Sequence, residues 1–403
     1  MRKSWFLVCF VNFFIASLMG LLLRWMYIKP IPQINFQYLM HGHSHVAMLG
    51  WVYLMLFCFI FYFFIPQESQ QKTIYNRLFW LTELAVIGMM FDFPAQGYAL
   101  VSIFFSTLHI FCSYHFCYLV WKDAKPRTFP EKRMLHTALF FMIFSTLGVW
   151  CLGPAVGLMG KSSAFYQIAI QFFLHFQFNG WFMFAILALF IKQSAIKIKE
   201  KKFRLFYYSF FSATFLTLAL PISWFLPNPI YYWINAIGVI LQFYSATLFF
   251  QLILPEFKKF SASLSTIEKG VYQFALFSLA LKIILQMIVL VPEFATIPHT
   301  IRNFVVGFIH LTMLGIITGF LLGFSLQTNL INSKKSIQKW GIIIFLLGIT
   351  TTEILLLLQG IYLFLNRGII TSYYQSMFVF SICLASGILL LTTGIFKLKS
   401  KFI

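Results

Sequence analysis

Three histidines recur along the chain in one local pattern, and imidazole is the side chain that most often binds metals in proteins. The pattern is H-x4-G, and it occurs at His45–Gly50, His175–Gly180 and His310–Gly315. The first and second histidines are 130 residues apart, and the second and third are 135 residues apart. The glycine would let a flat group, such as a neighbouring helix or a macrocycle, approach the backbone closely.

The composition places these histidines in a membrane protein. Of the 403 residues, 60% are hydrophobic and only 10% are charged, whereas soluble domains carry about 25% charged residues. A soluble chain of this length could not cover its surface with so few ionic groups. A soluble enzyme and a nucleic-acid-binding protein are therefore excluded, and the lipid bilayer is the predicted partner.

Apolar runs of about 20 residues can cross a bilayer as helices. The sequence contains twelve such runs, near residues 5–27, 43–65, 78–98, 100–121, 135–158, 164–191, 203–226, 229–254, 269–291, 302–326, 340–365 and 373–396. Their connections are short and leave no stretch for a soluble domain. We therefore predict an all-α polytopic membrane protein whose residues 1–403 form a single transmembrane domain.

The basic residues predict the orientation of these spans. The chain has 30 Lys and Arg against 10 Asp and Glu. With the N-terminus inside, 24 basic residues fall in cytoplasmic segments and five in outer segments. Because cytoplasmic loops are enriched in Lys and Arg, we predict that both termini lie on the cytoplasmic side of the cell's inner membrane.

The H-x4-G repeat divides the twelve spans into three blocks of four. Each motif lies on the second span of its block, which gives repeats of approximately 1–133, 134–267 and 268–403. In the predicted orientation these three spans enter from the outer face, so each histidine lies in the outer half of the membrane. Ionisable groups at that depth usually face the protein interior or a cavity, and three at equivalent positions can converge on a shared ligand.

The twelve spans and the three motifs resemble subunit I of the haem-copper oxidase superfamily, which has three four-helix arcs in a pseudo-threefold arrangement. The stretch His41-Gly-His43-Ser-His45-Val-Ala-Met-Leu-Gly-Trp51-Val is similar to the second helix of its short bacterial members. The resemblance implies a membrane oxidoreductase or electron carrier that binds or turns over a diatomic gas such as NO or O2. It also implies quinol or a cytochrome subunit as partner.

The resemblance further implies roles for particular residues. Histidines of helices two and ten hold a low-spin haem in that superfamily, which assigns His45 and His310 as ligands of a b-type haem. His175 takes the metal position of helix six. Arg367 and Arg302 match arginines that face the haem propionates, since a planar guanidinium pairs well with carboxylates.

Two more histidines precede His45. His41 is four residues earlier and lies on the same helical face, whereas His43 points elsewhere and is the weaker candidate ligand. A competing hypothesis is a metal-handling protein without haem that uses these three histidines. A second is a twelve-span transporter, although transporters favour inverted or twofold repeats and this chain shows a threefold repeat.

The chain departs from the superfamily pattern where copper would bind. The 203–226 span contains no histidine, and the helix-ten span contains one where two-haem members need two. Because copper needs three nitrogen ligands in this family, we predict one haem and no complete copper site.

Four other ionisable residues lie within the predicted spans. Lys282 and Glu353 are at matched depths and could form a buried ion pair, since either charge alone would be costly in the bilayer. Asp92 and Glu83 could belong to a proton path, but we favour the simpler interpretation that they lie at hydrated helix ends.

Overall fold

The computed structural model of the chain is all-helical over the residues that it describes, which are 2–196 and 198–396. Within these residues, twelve helices are long and apolar enough to cross a membrane. They are α1 (Lys3–Met26), α2 (Phe36–Phe64), α3 (Thr73–Gln96), α4 (Leu100–Asp123), α5 (Phe129–Met159), α6 (Ala164–Ser194), α7 (Glu200–Ser223), α8 (Pro229–Ala262), α9 (Thr266–Ile288), α10 (Arg302–Gln327), α11 (Ser336–Phe364) and α12 (Tyr373–Phe396). The chain is therefore an all-α, multi-pass membrane protein, which confirms the predicted fold class.

Two helices differ in shape from the predicted spans. α2 begins at Phe36 rather than at 43, because the side chain of Asn35 caps it and accepts a hydrogen bond of 3.1 Å from the backbone N–H of Tyr38. α7 consists of a helix over Glu200–Leu216, a turn, and a short helix over Ala219–Ser223. Pro221 has no backbone N–H to continue the helical hydrogen bonds, and this explains the interruption.

In the part of the chain that the structure describes, three short helices lie in the connections between spans. They cover Gln67–Gln70, Pro292–Ala295 and Ile297–Thr300.

The chain forms two compact units. The first unit contains α1 to α4, the part of α10 from Leu321 onward, α11 and α12. The second unit contains α5 to α9 and the part of α10 up to Phe320.

Aromatic side chains fill the core of the first unit. Trp5 of α1 stacks on Phe79 of α3 with ring centroids 4.5 Å apart. Phe13 of α1 stacks on Trp51 of α2 at 4.2 Å. Such pairs add to the area that they bury, so part of the phenylalanine and tryptophan content of the chain holds the helices together.

The second unit is packed in the same way. Phe141 of α5 stacks on Phe176 of α6 with centroids 5.5 Å apart. Phe184 of α6 stacks on Phe210 of α7 at 4.6 Å. α6 therefore lies against both of its sequence neighbours.

The three helices that carry the H-x4-G motifs are the most buried of the twelve described spans. The buried share of the most apolar window is 83% in α2, 78% in α6 and 61% in α10, against 39–50% in the other nine. These three helices are largely buried inside the protein, whereas the other nine described spans have a larger exposed share.

Candidate functional site

Each of the three repeat histidines ends an α-helical segment and is followed at once by a π-helical one. The α-helical segments are Phe36–His45, Ala164–His175 and Arg302–His310, with 10, 12 and 9 residues. The π-helical segments are Val46–Tyr53, Phe176–Phe182 and Leu311–Thr318. π-helical turns are rare and occur frequently at functional sites, so three equivalent copies mark the histidines as special positions.

Burial changes abruptly at the same three histidines. In the α-helical segment before the π-helical one, the only buried residues of α2 are Leu39 and Gly42. The corresponding segment of α6 has one buried residue, Ala169, and that of α10 has none. After the histidines nearly every residue of the π-helical segments is buried. Each histidine therefore lies where a tightly packed half of its helix meets a half whose side chains are accessible.

The glycine of each motif permits close packing against neighbouring helices. A Cβ atom on Gly50 would lie 2.8 Å from Val86 of α3 and 3.2 Å from Asn12 of α1. One on Gly180 would lie 2.6 Å from Phe141 of α5. A neighbouring helix thus packs closely against each of these glycines, which is one of the two possibilities that the sequence predicts.

The third repeat has the same contact. A Cβ atom on Gly315 would lie 2.8 Å from the hydroxyl oxygen of Ser278 in α9. Each motif glycine therefore lies against the helix that precedes its own, and Gly50 also lies against α3, to which it is closer.

A buried polar contact supports the π-helical segment of α2. The side-chain amide of Asn12 donates to the carbonyl oxygen of Gly50 at 3.2 Å and to the carboxyl of Glu83 at 2.8 Å. Asn12 and Glu83 are 2% and 4% exposed. The interpretation of Glu83 as a residue of a hydrated helix end is therefore wrong, because its side chain is buried and bonded to Asn12 of α1.

His41 and His45 share one face of α2, as predicted. The Nδ1–H of His45 donates to the carbonyl oxygen of His41 at 2.9 Å, and its ring stacks on Phe93 at 4.2 Å. The ring of His41 packs edge-on against Tyr98 at 4.8 Å. Among the described residues, Nε2 of His45 has no hydrogen-bond partner, which leaves it for an external ligand.

His43 faces the opposite direction, toward α1. Its Nδ1–H donates to the carbonyl oxygen of Ala16 at 2.8 Å, and its ring fills the space beside Gly20. The prediction that His43 points away from His41 and His45 is confirmed.

Both ring nitrogens of His175 are bonded to protein groups. Nε2–H donates to the carbonyl oxygen of Thr214 in α7 at 2.7 Å, and the amide of Asn179 donates to Nδ1 at 3.4 Å. These bonds fix a neutral tautomer with the proton on Nε2. In this conformation neither nitrogen is available to a metal.

The structure places the other predicted ligands at helix ends and in loops. His310 is half-buried at the end of the first segment of α10, and Arg302 is exposed at the start of that helix. Arg367 is exposed in the connection between α11 and α12. Buried Gln359 orders this connection, since its side chain bonds to the backbone of Gly368 and Ile370 at 3.1 and 2.9 Å.

Lys282 is 1% exposed, and its ammonium has two neutral neighbours. It donates to Oε1 of Gln286 at 2.9 Å and lies 4.9 Å from the ring centroid of Phe308 in α10. Glu353 belongs to the first unit and Lys282 to the second, and their pairing stays a prediction. For the same reason, so does the joint ligation of a haem by His45 and His310.

No group of three or more His, Cys, Asp and Glu side chains that could hold a metal ion together occurs in residues 2–196 and 198–396. Neither a protein-family model nor a curated protein matches the chain.

Sequence reasoning missed the π-helical segments and the Asn12–Glu83 contact. The sequence did contain a signal for the π-helical segments. The histidine and glycine of H-x4-G are five residues apart, which equals the i to i+5 hydrogen-bond step of a π-helix. No local signal existed for the latter, because its residues come from three different helices.

Proposed function

We propose that the chain is a haem-binding redox protein of the cell's inner membrane, of the type of haem-copper oxidase subunit I. In this proposal His45 and His310 hold one b-type haem, and the protein transfers electrons or binds or turns over a diatomic gas such as NO or O2. Quinol or a cytochrome subunit would be the electron partner, and both termini would be cytoplasmic.

The observation that carries the proposal is the change of burial at the three histidines. Ligand sites are concave and need accessible side chains on a rigid support. The π-helical segments and the halves that follow them are that support, since they are buried almost completely. The segments that precede the histidines have the accessible side chains that a large ligand requires.

The geometry of His45 suits an iron ligand. Metal-bound histidines usually donate their other ring N–H to a carbonyl or a carboxylate, which fixes the tautomer and the ring orientation. In His45 the carbonyl of His41 accepts from Nδ1 at 2.9 Å and Phe93 stacks on the ring. Nε2 is then the nitrogen that would bind the iron.

The remaining residues would position the ligand. A bound haem would supply the redox chemistry. The guanidinium groups of Arg302 and Arg367 would pair with its carboxylates. His175, neutral and held by Thr214 and Asn179, would offer a polar imidazole without binding a metal, so we propose no complete copper site.

An absorption spectrum of the purified protein, produced under haem-replete conditions, tests the proposal. We expect a Soret band and a sharp alpha band in the reduced form, with one iron and no copper per chain. A featureless visible spectrum would contradict the proposal, and elemental analysis would then test metal binding by His41, His43 and His45. A protein with neither haem nor metal would favour the transporter hypothesis.

Two variants of α2 make the test specific. His45→Ala should abolish the haem spectrum, whereas His43→Ala should retain it, because His43 faces α1 and bonds to Ala16. Both variants remove one half-buried imidazole from the same helix, so they are matched in chemistry. Equal loss of haem from the two would show that the assignment of His45 is wrong.

A further inference from the structure

A groove of about 650 Å³ lies between α7 and α8 in the second unit. Its lining residues are Lys202 of α7 and Thr247, Phe250, Gln251, Leu254 and Pro255 of α8. The volume is in the range of about 300–1,000 Å³ that ligand pockets have. Phe250 is half-buried and the other five residues are exposed, so the groove is open to the surroundings of the protein.

The basic end of the groove lies at the level of the lipid headgroups. Lys202 is the third residue of α7, which has 24 residues. At 1.5 Å per residue such a helix is about 36 Å long, whereas the hydrocarbon core of a bilayer is about 30 Å thick. The first turn of α7, with Lys202, therefore emerges where the phosphates of the bilayer lie.

Lys202 is available to an external anion. α7 and α8 contain one acidic residue each, and both pair with another basic residue of their own helix. These pairs are Glu200–Arg204 at 2.6 Å and Glu256–Lys259 at 2.9 Å. Within residues 2–196 and 198–396, no ion pair includes Lys202. Its exposed ammonium group thus faces the groove side of α7 without a counter-charge from the protein.

Gln251 adds hydrogen-bonding groups beside this lysine. Pro255 has no backbone N–H, so the carbonyl oxygen of Gln251 lacks the donor that a helix normally supplies four residues later. The side-chain amide of Gln251 is exposed in the same groove. A hydroxyl group could therefore donate to the carbonyl and accept from the amide N–H.

An exposed apolar path continues from the groove toward the middle of the membrane. Ile240, Phe243, Thr247, Gln251 and Leu254 follow one another at steps of three or four residues, so they share one face of α8. Ile240, Phe243 and Leu254 are 48–56% exposed. The path from Gln251 to Ile240 is about 16 Å long at 1.5 Å per residue, which suits an acyl chain.

We propose that the α7–α8 groove binds a phospholipid with an anionic, hydroxylated headgroup, of the phosphatidylglycerol type. Its phosphate would pair with Lys202, a headgroup hydroxyl would bond to Gln251, and an acyl chain would lie along Phe243 and Ile240. Basic pockets between membrane helices are known to hold anionic headgroups. The inference does not depend on a haem.

Native mass spectrometry of the full-length protein in detergent micelles tests the proposal. The protein is titrated with phosphatidylglycerol and with phosphatidylcholine that have the same acyl chains. We expect the first phosphatidylglycerol to bind more tightly than the first phosphatidylcholine, because only the former has a net negative charge. Equal affinity for the two lipids would overturn the proposal.

Two lysine variants locate the effect. Lys202→Gln should weaken the binding of phosphatidylglycerol about fivefold, as expected for one lysine near a membrane surface. Lys201→Gln removes the same charge from the next residue, which is exposed but does not line the groove, and it should retain the wild-type affinity. Both lysines are exposed, so both variants should unfold at the wild-type temperature without added lipid. An equal loss of affinity in the two variants, or no loss in Lys202→Gln, would refute the site.

A third variant tests the contact with the headgroup. Phosphatidic acid has the phosphate of phosphatidylglycerol but lacks its glycerol headgroup. The wild type should therefore prefer phosphatidylglycerol, and Gln251→Leu should reduce this preference. An unchanged preference in Gln251→Leu would refute the proposed hydrogen bonds to the headgroup.

Other occupants of the groove would give different results. If soluble glycerol 3-phosphate displaces phosphatidylglycerol at an equal concentration, the ligand is a free phosphate ester and the proposal is wrong. If the wild type is a dimer that Lys202→Gln converts to a monomer, a second copy of the chain covers the groove, and this result would also overturn the proposal.

Discussion

Replacing Gly50 by alanine tests whether the motif glycine is needed for packing of the π-helical segment. The added Cβ would lie 2.8 Å from a methyl carbon of Val86 and 3.2 Å from the Cβ of Asn12. Carbon atoms in favourable contact are about 3.5–4.0 Å apart, so the neighbouring helices must move by about 1 Å. Overpacking of this kind costs about 1–3 kcal/mol.

The same substitution in open space supplies the control. Gly270 lies in α9, and no neighbouring group comes within 4 Å of the position that a Cβ would take there. Alanine is favoured over glycine within helices by about 1 kcal/mol, so Gly270→Ala should stabilise the protein. The difference in unfolding free energy between the two variants cancels the helix preference and leaves the packing cost of about 1–3 kcal/mol.

Denaturant-induced unfolding in detergent micelles, followed by tryptophan fluorescence, measures this difference. Gly180→Ala should behave like Gly50→Ala, because its Cβ would lie 2.6 Å from the ring of Phe141. If Gly50→Ala is as stable as Gly270→Ala, α2 does not pack closely against Val86 of α3 and Asn12 of α1 through this glycine, and the reasoning fails.

Two further predictions concern the interior of the first unit and the orientation of the chain. Asn12→Leu should lower the unfolding free energy by about 2–4 kcal/mol, because it removes hydrogen bonds to Gly50 and Glu83 and leaves a buried carboxyl without its donor. Adding Glu83→Leu to this variant should recover part of the loss. An unchanged unfolding free energy in Asn12→Leu would contradict the contact. In intact cells a membrane-impermeant thiol reagent should label Lys161→Cys and spare Lys132→Cys, both at exposed positions, and the reverse pattern would show that the predicted orientation is wrong.

The sequence predicts the number and order of the membrane helices because hydropathy over about 20 residues reports directly on the bilayer. It also predicts which face of α2 carries His41 and His45, since that depends only on helical periodicity. Hydropathy does not predict the start of α2, because the residues just before 43 have low hydropathy. The helix begins at Phe36 because the side chain of Asn35 caps it.

Features that depend on contacts between helices escape a single sequence. Glu83 looks like a residue near a helix end until Asn12 of α1 is known to lie beside it. His175 looks like a metal ligand until Thr214 of α7 is seen to accept its N–H. In both cases the partner lies more than 35 residues away in the chain, so no local sequence pattern indicates the contact.

The π-helical segments also change which side of each helix the following residues present. In an α-helix the residue five positions after a histidine is rotated by about 140° from it, whereas the i to i+5 bonding of a π-helix brings that residue back below the histidine. One extra residue in a turn produces this change. The segments that follow His45, His175 and His310 all make this change, so the second half of each helix is rotated relative to a continuous α-helix.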